Sequence, residues 1–300
     1  MNAEKTVPSE VPQFSIRGHS GYDVQILHDP AGRYIVRKSS TEAGHSARLK
    51  RQAKKQRDYR PPLPFVRVPA IVAEHESGPY YAFDMEYCCS NDFVSFLLAA
   101  SKAQIDIFIG RILEIIDDGI SQSASTEVVV SETLAPKYEV VRANIAGAPF
   151  DGGIGPMLAE VDRIMGALPP TIRMPIGPCH GDLTFSNVLI DRASHRLVLI
   201  DFLDTFLESP LQDIVKLRQD TRHRWSLLLY EHAFDRTKMH LALAYLDRII
   251  HGHYLGHEFY RDHYGLFQLL NLLRILQYAR HERIIKHLCR EIDMVLKESF

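Results

Sequence analysis

The chain has 300 residues, 46% hydrophobic and 24% charged, with a formal net charge of -2. That is enough apolar material for two packed lobes, and the near-neutral balance lacks the basic excess that neutralises a phosphate backbone, so no nucleic-acid partner is expected. The four cysteines, Cys88, Cys89, Cys179 and Cys289, stand in no metal-ligand or redox spacing, and residues 1–13 carry no signal-peptide pattern, which together give the expectation of a cytoplasmic protein.

Residues 14–87 read as short strands separated by turns, in FSIRGHSGYDVQIL, RYIVRKSS and PAIVAEHESGPYYAFDMEY, with a basic helical stretch, HSARLKRQAKKQRDY, after the third strand. This predicts a small α+β domain over 1–87. From Asp92 the period becomes helical, and Phe93, Phe96, Leu97, Ile105, Phe108, Ile109, Ile112 and Ile116 fall on one face, opening a larger domain over 88–300. Residues 121–155 mix Ser, Thr, Gly and Pro with a few β-branched residues and read as an irregular insertion or lid. A helix follows over 157–168 and is stopped by Pro169 and Pro170; GPCHGDLTFSNVLIDRASHRLVLIDF then reads as a loop and two short strands. Ser209, Pro210 and Gln212 mark the next helix start, as N-cap, first helical residue and capping-box partner. The rest of the chain reads as helices. Residues 266–276 are apolar, yet Gln268, Asn271 and Arg274 interrupt them well short of the roughly 20 residues that span a bilayer, so a buried helix is expected and no membrane partner.

The strongest chemical pattern is His180-Gly181-Asp182-Leu183-Thr184-Phe185-Ser186-Asn187, which has the His, Asp, Leu and Asn spacing of the kinase loop H-R-D-L-x-x-x-N, with Gly181 in place of the arginine. With this spacing Asp182 can direct its carboxylate at an acceptor hydroxyl while the amide oxygen of Asn187 reaches a metal beside nucleotide phosphates. The apolar run Leu197-Val198-Leu199-Ile200 then delivers Asp201 at a strand end, a rigid position for a second metal ligand. Singly, these residues also suit a turn, a cap and a solvated strand end. Their order and spacing carry the reading that all three gather around a metal-bound triphosphate.

HGDLTFSNVLI followed by LVLIDF resembles the signature of the aminoglycoside phosphotransferase and choline kinase group, tightly over residues 178–220. The resemblance implies an α+β, protein-kinase-like two-lobe fold with a small, mainly β N-terminal lobe and a larger, mainly α C-terminal lobe. It implies ATP and Mg2+ as cofactors and transfer of the γ-phosphoryl group to a hydroxyl of a small molecule such as a sugar, amino sugar or amino alcohol. Gly181 cannot dock a phosphorylated activation loop, and the short interval from Asp201 to Ser209 leaves no room for a long activation segment, which tells against a protein kinase.

On the nucleotide side the resemblance assigns the turn Gly18-His19-Ser20-Gly21 to cover the phosphates. It assigns Lys38 to reach the phosphates, Val36 to pack against adenine, and the backbone of Glu86 and Cys88 to hold adenine at a hinge near Tyr87. Strand alternation puts Val36 and Lys38 on one face and Arg37 on the other; a slip of one residue would exchange Lys38 and Arg37. The helix that should supply a glutamate to Lys38 contains no acid, so Gln52 is the first substitute and Glu42 the second. Asp213 takes a structural role. Asp204, Glu208 and Asp220 are candidates to line an acceptor pocket suited to amines, and His251, His253 and His257 are read as surface or packing residues rather than metal ligands. Two alternatives stay open: a nucleotide-binding pseudokinase acting through partners, and a nucleotidyltransferase on the same fold.

Overall fold

The computed structural model describes residues 14–16, 22–148 and 154–300. The turn Gly18-His19-Ser20-Gly21 lies outside these residues. The first elements are β1 (Phe14–Ile16), β2 (Tyr22–His28), β3 (Tyr34–Ser40), α1 (Ala43–Asp58), β4 (Val66–Arg67), β5 (Ile71–Ser77), β6 (Tyr80–Glu86) and β7 (Ser90–Asn91). Asp29 closes the turn between β2 and β3 by accepting the N–H groups of Ala31 and Arg33 at 2.9 and 2.8 Å, and Gly32 there takes a φ of 77°, which glycine adopts without Cβ strain.

The main sheet runs β1-β2-β3-β6-β5, antiparallel throughout, with Val36 opposite Met85, Arg37 opposite Asp84 and Lys38 opposite Phe83. α1 lays Leu49 and Ala53 on this sheet, where they join Tyr22, Tyr81, Phe83 and Met85 in a core that Val36 and Ile71 edge. Most basic residues of α1 are exposed, and the neighbouring strand answers two of them: Lys50 pairs with Glu76 at 2.9 Å and Arg57 with Glu74. The positive stretch is thus partly neutralised by its neighbours.

Next come α2 (Phe93–Ala99) and α3 (Lys102–Ser121), where the sequence pattern suggested one continuous helical run. Ser101 separates them through a capping box: Gln104 Oε1 accepts the Ser101 N–H at 2.8 Å, and Ser101 Oγ accepts the Gln104 N–H at 3.4 Å. β8 (Ala124–Val129), a single 3-10 turn, α4 (Leu134–Ala146), α5 (Ile154–Gly166) and β9 (Thr171–Ile176) follow. The stretch expected to be irregular thus holds a strand and a helix. β8 pairs antiparallel with β9 and buries Val128 and Ile172.

β10 (Val188–Asp191) and β11 (Leu197–Leu199) form the predicted hairpin and complete a second sheet, β4-β11-β10-β7, in which β4 runs parallel to β11. The chain finishes with α6 (Pro210–Thr221), α7 (Trp225–Leu229), α8 (Arg236–Tyr254), α9 (Glu258–Leu276) and α10 (Glu282–Ser299). Every residue of α6 is buried, and the helix packs against α3, α8 and α9. It begins as predicted, Ser209 Oγ accepting the Leu211 N–H at 3.3 Å with Pro210 first in the helix, but Gln212 does not close the box, and its buried Nε2 finds no partner.

The fold is α+β, a β-rich N-terminal part followed by a larger helical part. It divides into two compact units: residues 1–91 with 188–203, and residues 92–187 with 204–300. Among the described residues no helix is long and apolar enough to cross a membrane.

Candidate active site

In the first unit the pleat of β3 sends Lys38 inward and Arg37 outward, as the alternation requires. Arg37 makes a two-pronged pair with Asp84, at 2.7 and 2.8 Å. Lys38, 3% exposed, reaches across to Asp201 Oδ1 at 2.9 Å and to Gln52 Oε1 at 3.2 Å, with its ammonium 5.0 Å from the centre of the Tyr22 ring. A buried ammonium needs such partners, because desolvation without a counter-charge would be prohibitive. Gln52 therefore supplies the α1 contact that the missing glutamate would have made, whereas Glu42 is exposed and pairs with His45.

Asp201 follows β11 with φ of 60°, a left-handed backbone uncommon in a residue with a Cβ. The Tyr59 and Phe202 rings, 4.9 Å apart, anchor the chain directly after it, and Lys55 donates to the Leu203 carbonyl at 2.9 Å. Val36 lies two residues before Lys38 and packs on the core of the sheet. Glu86 ends β6: its N–H donates to the Ala70 carbonyl at 3.0 Å, and its carboxylate accepts from Arg67, which also reaches Asp191. Cys88 is half-buried two residues on, and burial pushes its thiol pKa up despite the nearby Arg67.

In the second unit the loop 180–187 is clamped to α6 by two carboxylates. Asp213 accepts the N–H groups of His180 at 2.7 Å and Gly181 at 2.8 Å, and Asp220 accepts those of Phe185 at 2.7 Å and Ser226 at 3.0 Å. The Gly181 φ of 86° explains the glycine, since the loop turns there through a conformation that arginine would strain. Between the clamps the Asp182 carboxylate pairs with Lys216 of α6 at 3.0 Å, its side chain 28% exposed. Burial by itself pushes the Asp182 carboxyl up, but the charge and hydrogen bond of Lys216, with His180 and Arg274 behind them, outweigh it and hold the carboxyl below its ordinary range.

Asn187 donates Nδ2 to the Asp182 carbonyl at 2.8 Å and to its carboxylate at 3.0 Å, so its Oδ1 faces away from that contact. The Asn187 amide oxygen and the Asp201 carboxylate are each hard donors of the kind Mg2+ takes. Among the described residues no three His, Cys, Asp or Glu side chains gather as a metal site.

Asp220 and Glu208, read as pocket acids, have other duties. Asp220 is the second clamp, and Glu208 accepts from the Thr205 N–H at 2.8 Å and from the Cys179 thiol at 3.3 Å. The sequence pattern left Lys216 unnoticed. A buried cation one turn after Asp213 on a helix otherwise short of solvent was the available signal. Two of the histidines set aside are exposed and make polar contacts, His251 with the Tyr260 hydroxyl at 2.9 Å and His253 with Asp117 at 2.8 Å.

The sequence pattern of the phosphotransferase enzyme family matches residues 139–248, from α4 into α8. No curated protein sequence matches the chain. Among solved structures, a protein assigned as a fructosamine-3-kinase from Thermobifida fusca YX-ER1 superposes with a TM-score of 0.58 at 13% identity, covering 97% of this chain and 94% of its own. An aminoglycoside-3'-phosphotransferase of type VIII gives 0.51 at 16%, covering 98% and 95%. An amicoumacin kinase in complex with AMP-PNP and Ca2+ gives 0.57 at 13%, covering 97% and 90%. The chain has the kinase-like fold of these proteins along nearly its whole length, and it resembles the aminoglycoside phosphotransferase group.

Proposed function

We propose that this protein is an ATP- and Mg2+-dependent phosphotransferase that moves the γ-phosphoryl group to a hydroxyl of a small molecule. The observation that carries the reading is the Lys38–Asp201 pair: residues 163 positions apart, chosen from the sequence as the phosphate lysine and the metal carboxylate, meet at 2.9 Å. Lys38 would hold nucleotide phosphates, and Asp201 and Asn187 would hold the cation, which when bound neutralises charge on the β- and γ-phosphate oxygens. Val36 would pack on adenine, the backbone of Glu86 and Cys88 would hydrogen-bond it, and the turn at Gly18 to Gly21 would cover the phosphates. That an amicoumacin kinase of this fold binds AMP-PNP with Ca2+ supports a triphosphate and a divalent ion here.

Asp182 orients the acceptor hydroxyl. As the new P–O bond forms, the bond to the β-phosphate oxygen breaks and the hydroxyl proton passes to Asp182 and then to water, leaving ADP. A carboxylate kept charged by Lys216 is a weak base, which suits a late proton transfer in a loose transition state. Asp182→Asn is expected to lower kcat for acceptor-dependent ADP release by about 10²- to 10⁴-fold while ATP affinity stays within about twofold. Unchanged turnover would remove Asp182 from the mechanism.

A further inference from the structure

Gln52 makes the α1 contact that a glutamate would have made to Lys38, and the exchange of a carboxylate for an amide bears on the cation, given the phosphotransferase reading. Residues 46–56 of α1 contain no acid. Gln52 is held on the inner face of that helix, 5% exposed beside Leu49 and Ala53, which are fully buried. Its amide oxygen accepts from Lys38 at 3.2 Å, and Asp201 accepts from the same ammonium at 2.9 Å. The Tyr22 ring, 5.0 Å from Lys38 Nζ, is neutral. Among the described residues Lys38 thus meets one carboxylate, and that carboxylate is the proposed metal ligand.

This arrangement sets the ammonium and the cation in competition. Lys38 is buried and must keep a counter-charge, which a neutral amide does not supply. The Asp201 side chain is 38% exposed and so within reach of an ion from solvent. A free dication drawing on Asp201 would leave the buried ammonium facing it with no other carboxylate to turn to. Lys55, whose ammonium donates to the Leu203 carbonyl at 2.9 Å, adds positive charge two residues further along the chain and opposes a free cation in the same sense. A triphosphate changes the balance, because its oxyanions can take over Lys38 as the cation takes Asp201.

We infer that Gln52 makes cation binding conditional on the nucleotide: the Lys38–Asp201 pair closes the metal carboxylate to free Mg2+, and phosphate at Lys38 opens it. A glutamate at position 52 would neutralise Lys38 from α1 and leave Asp201 open to the ion at all times. By linkage, the cation tightens nucleotide binding by the same factor as the nucleotide tightens cation binding.

The test is Mn2+ binding to the nucleotide-free protein, read from the electron paramagnetic resonance signal of the free ion. The wild type should bind Mn2+ no more tightly than Asp201→Asn. Gln52→Glu should tighten Mn2+ binding about tenfold or more, and adding Asp201→Asn to it should abolish the gain, which separates Asp201 from the nearby Asp204 as the ligand. Lys38→Met releases the same carboxylate by another route and should show the gain even where Gln52→Glu fails to fold. Gln52→Met adds no charge and should match the wild type. The inference is overturned by a wild type that binds Mn2+ as tightly as Gln52→Glu, by an affinity unmoved in both Gln52→Glu and Lys38→Met, or by a gain in Gln52→Met. With Mn2+-AMP-PNP still binding to the wild type, each of these leaves the phosphotransferase reading standing. A wild type that binds no Mn2+-AMP-PNP overturns that reading and the inference together.

Discussion

Asp220 shows what one buried carboxylate does in this fold. It is 1% exposed and accepts two main-chain N–H groups, yet burial, with the nearby Asp182 charge adding to it, outweighs those bonds and pushes its pKa up to about 6. The folded state therefore holds a proton more tightly than the unfolded chain. Stability falls as pH rises from the ordinary carboxylate pKa through the folded one, and the penalty is complete above about pH 6. A carboxyl raised that far costs the folded state at most about 3 kcal/mol once it is ionised. Urea unfolding of the wild type and Asp220→Asn at pH 4 and pH 7 should show the wild type losing up to about that much relative to the variant as pH rises. Parallel losses in the two proteins would mean that Asp220 does not titrate in this window. Asp182, in the loop that the same clamp holds, behaves oppositely: Lys216 outweighs burial and depresses its pKa, so the carboxylate stays charged near neutrality.

α6 is the element on which the loop is built. Asp213, in its first turn, accepts two buried N–H groups of the loop, so Asp213→Ala strands both donors at about 1–3 kcal/mol each. We expect a stability loss of about 2–5 kcal/mol, with kcat falling while KM for ATP stays put, because Lys38, proposed to hold the nucleotide, belongs to another element. A proportional rise in ATP KM would contradict this division. The start of α6 was legible because Ser-Pro is a local signal. The break at Ser101 was equally local, in a Ser-x-x-Gln box, but the apolar stripe on both sides masked it. β8 was not legible: its partner β9 lies beyond two helices, and a strand that gains its stability from a distant ladder carries little signature in its own composition.

Across the whole molecule, the residues read from spacing were Asp182, Asn187 and Asp201; alternation put Val36 and Lys38 on one face of β3 but left a one-residue slip open, which the pairing with β2 and β6 closes. Lys216 was not visible, because its meaning depends on the loop at Asp182 folding back onto α6. If Lys38 and Asp201 serve a metal-bound nucleotide, ATP at 100 times its Kd with Mg2+ should stabilise the protein by about 2.7 kcal/mol. In a thermal-shift assay, EDTA should remove most of that gain, Asp201→Asn should lose it in the presence of Mg2+, and Asp182→Asn should keep it. A gain untouched by EDTA would exclude the cation from nucleotide binding.

The second sheet has a consequence for how the chain is made. β4 and β7 are two residues each, and their neighbours β11 and β10 are encoded some hundred residues later. At about 5–20 residues per second, a ribosome has completed the five-stranded sheet and α1 for several seconds or more before the hairpin that carries Asp201 emerges. Until then the nascent chain holds Lys38 without its counter-ion, and a fragment cut at residue 91 would stay in that state. A stable excised version of the first unit needs residues 188–203 grafted back onto it.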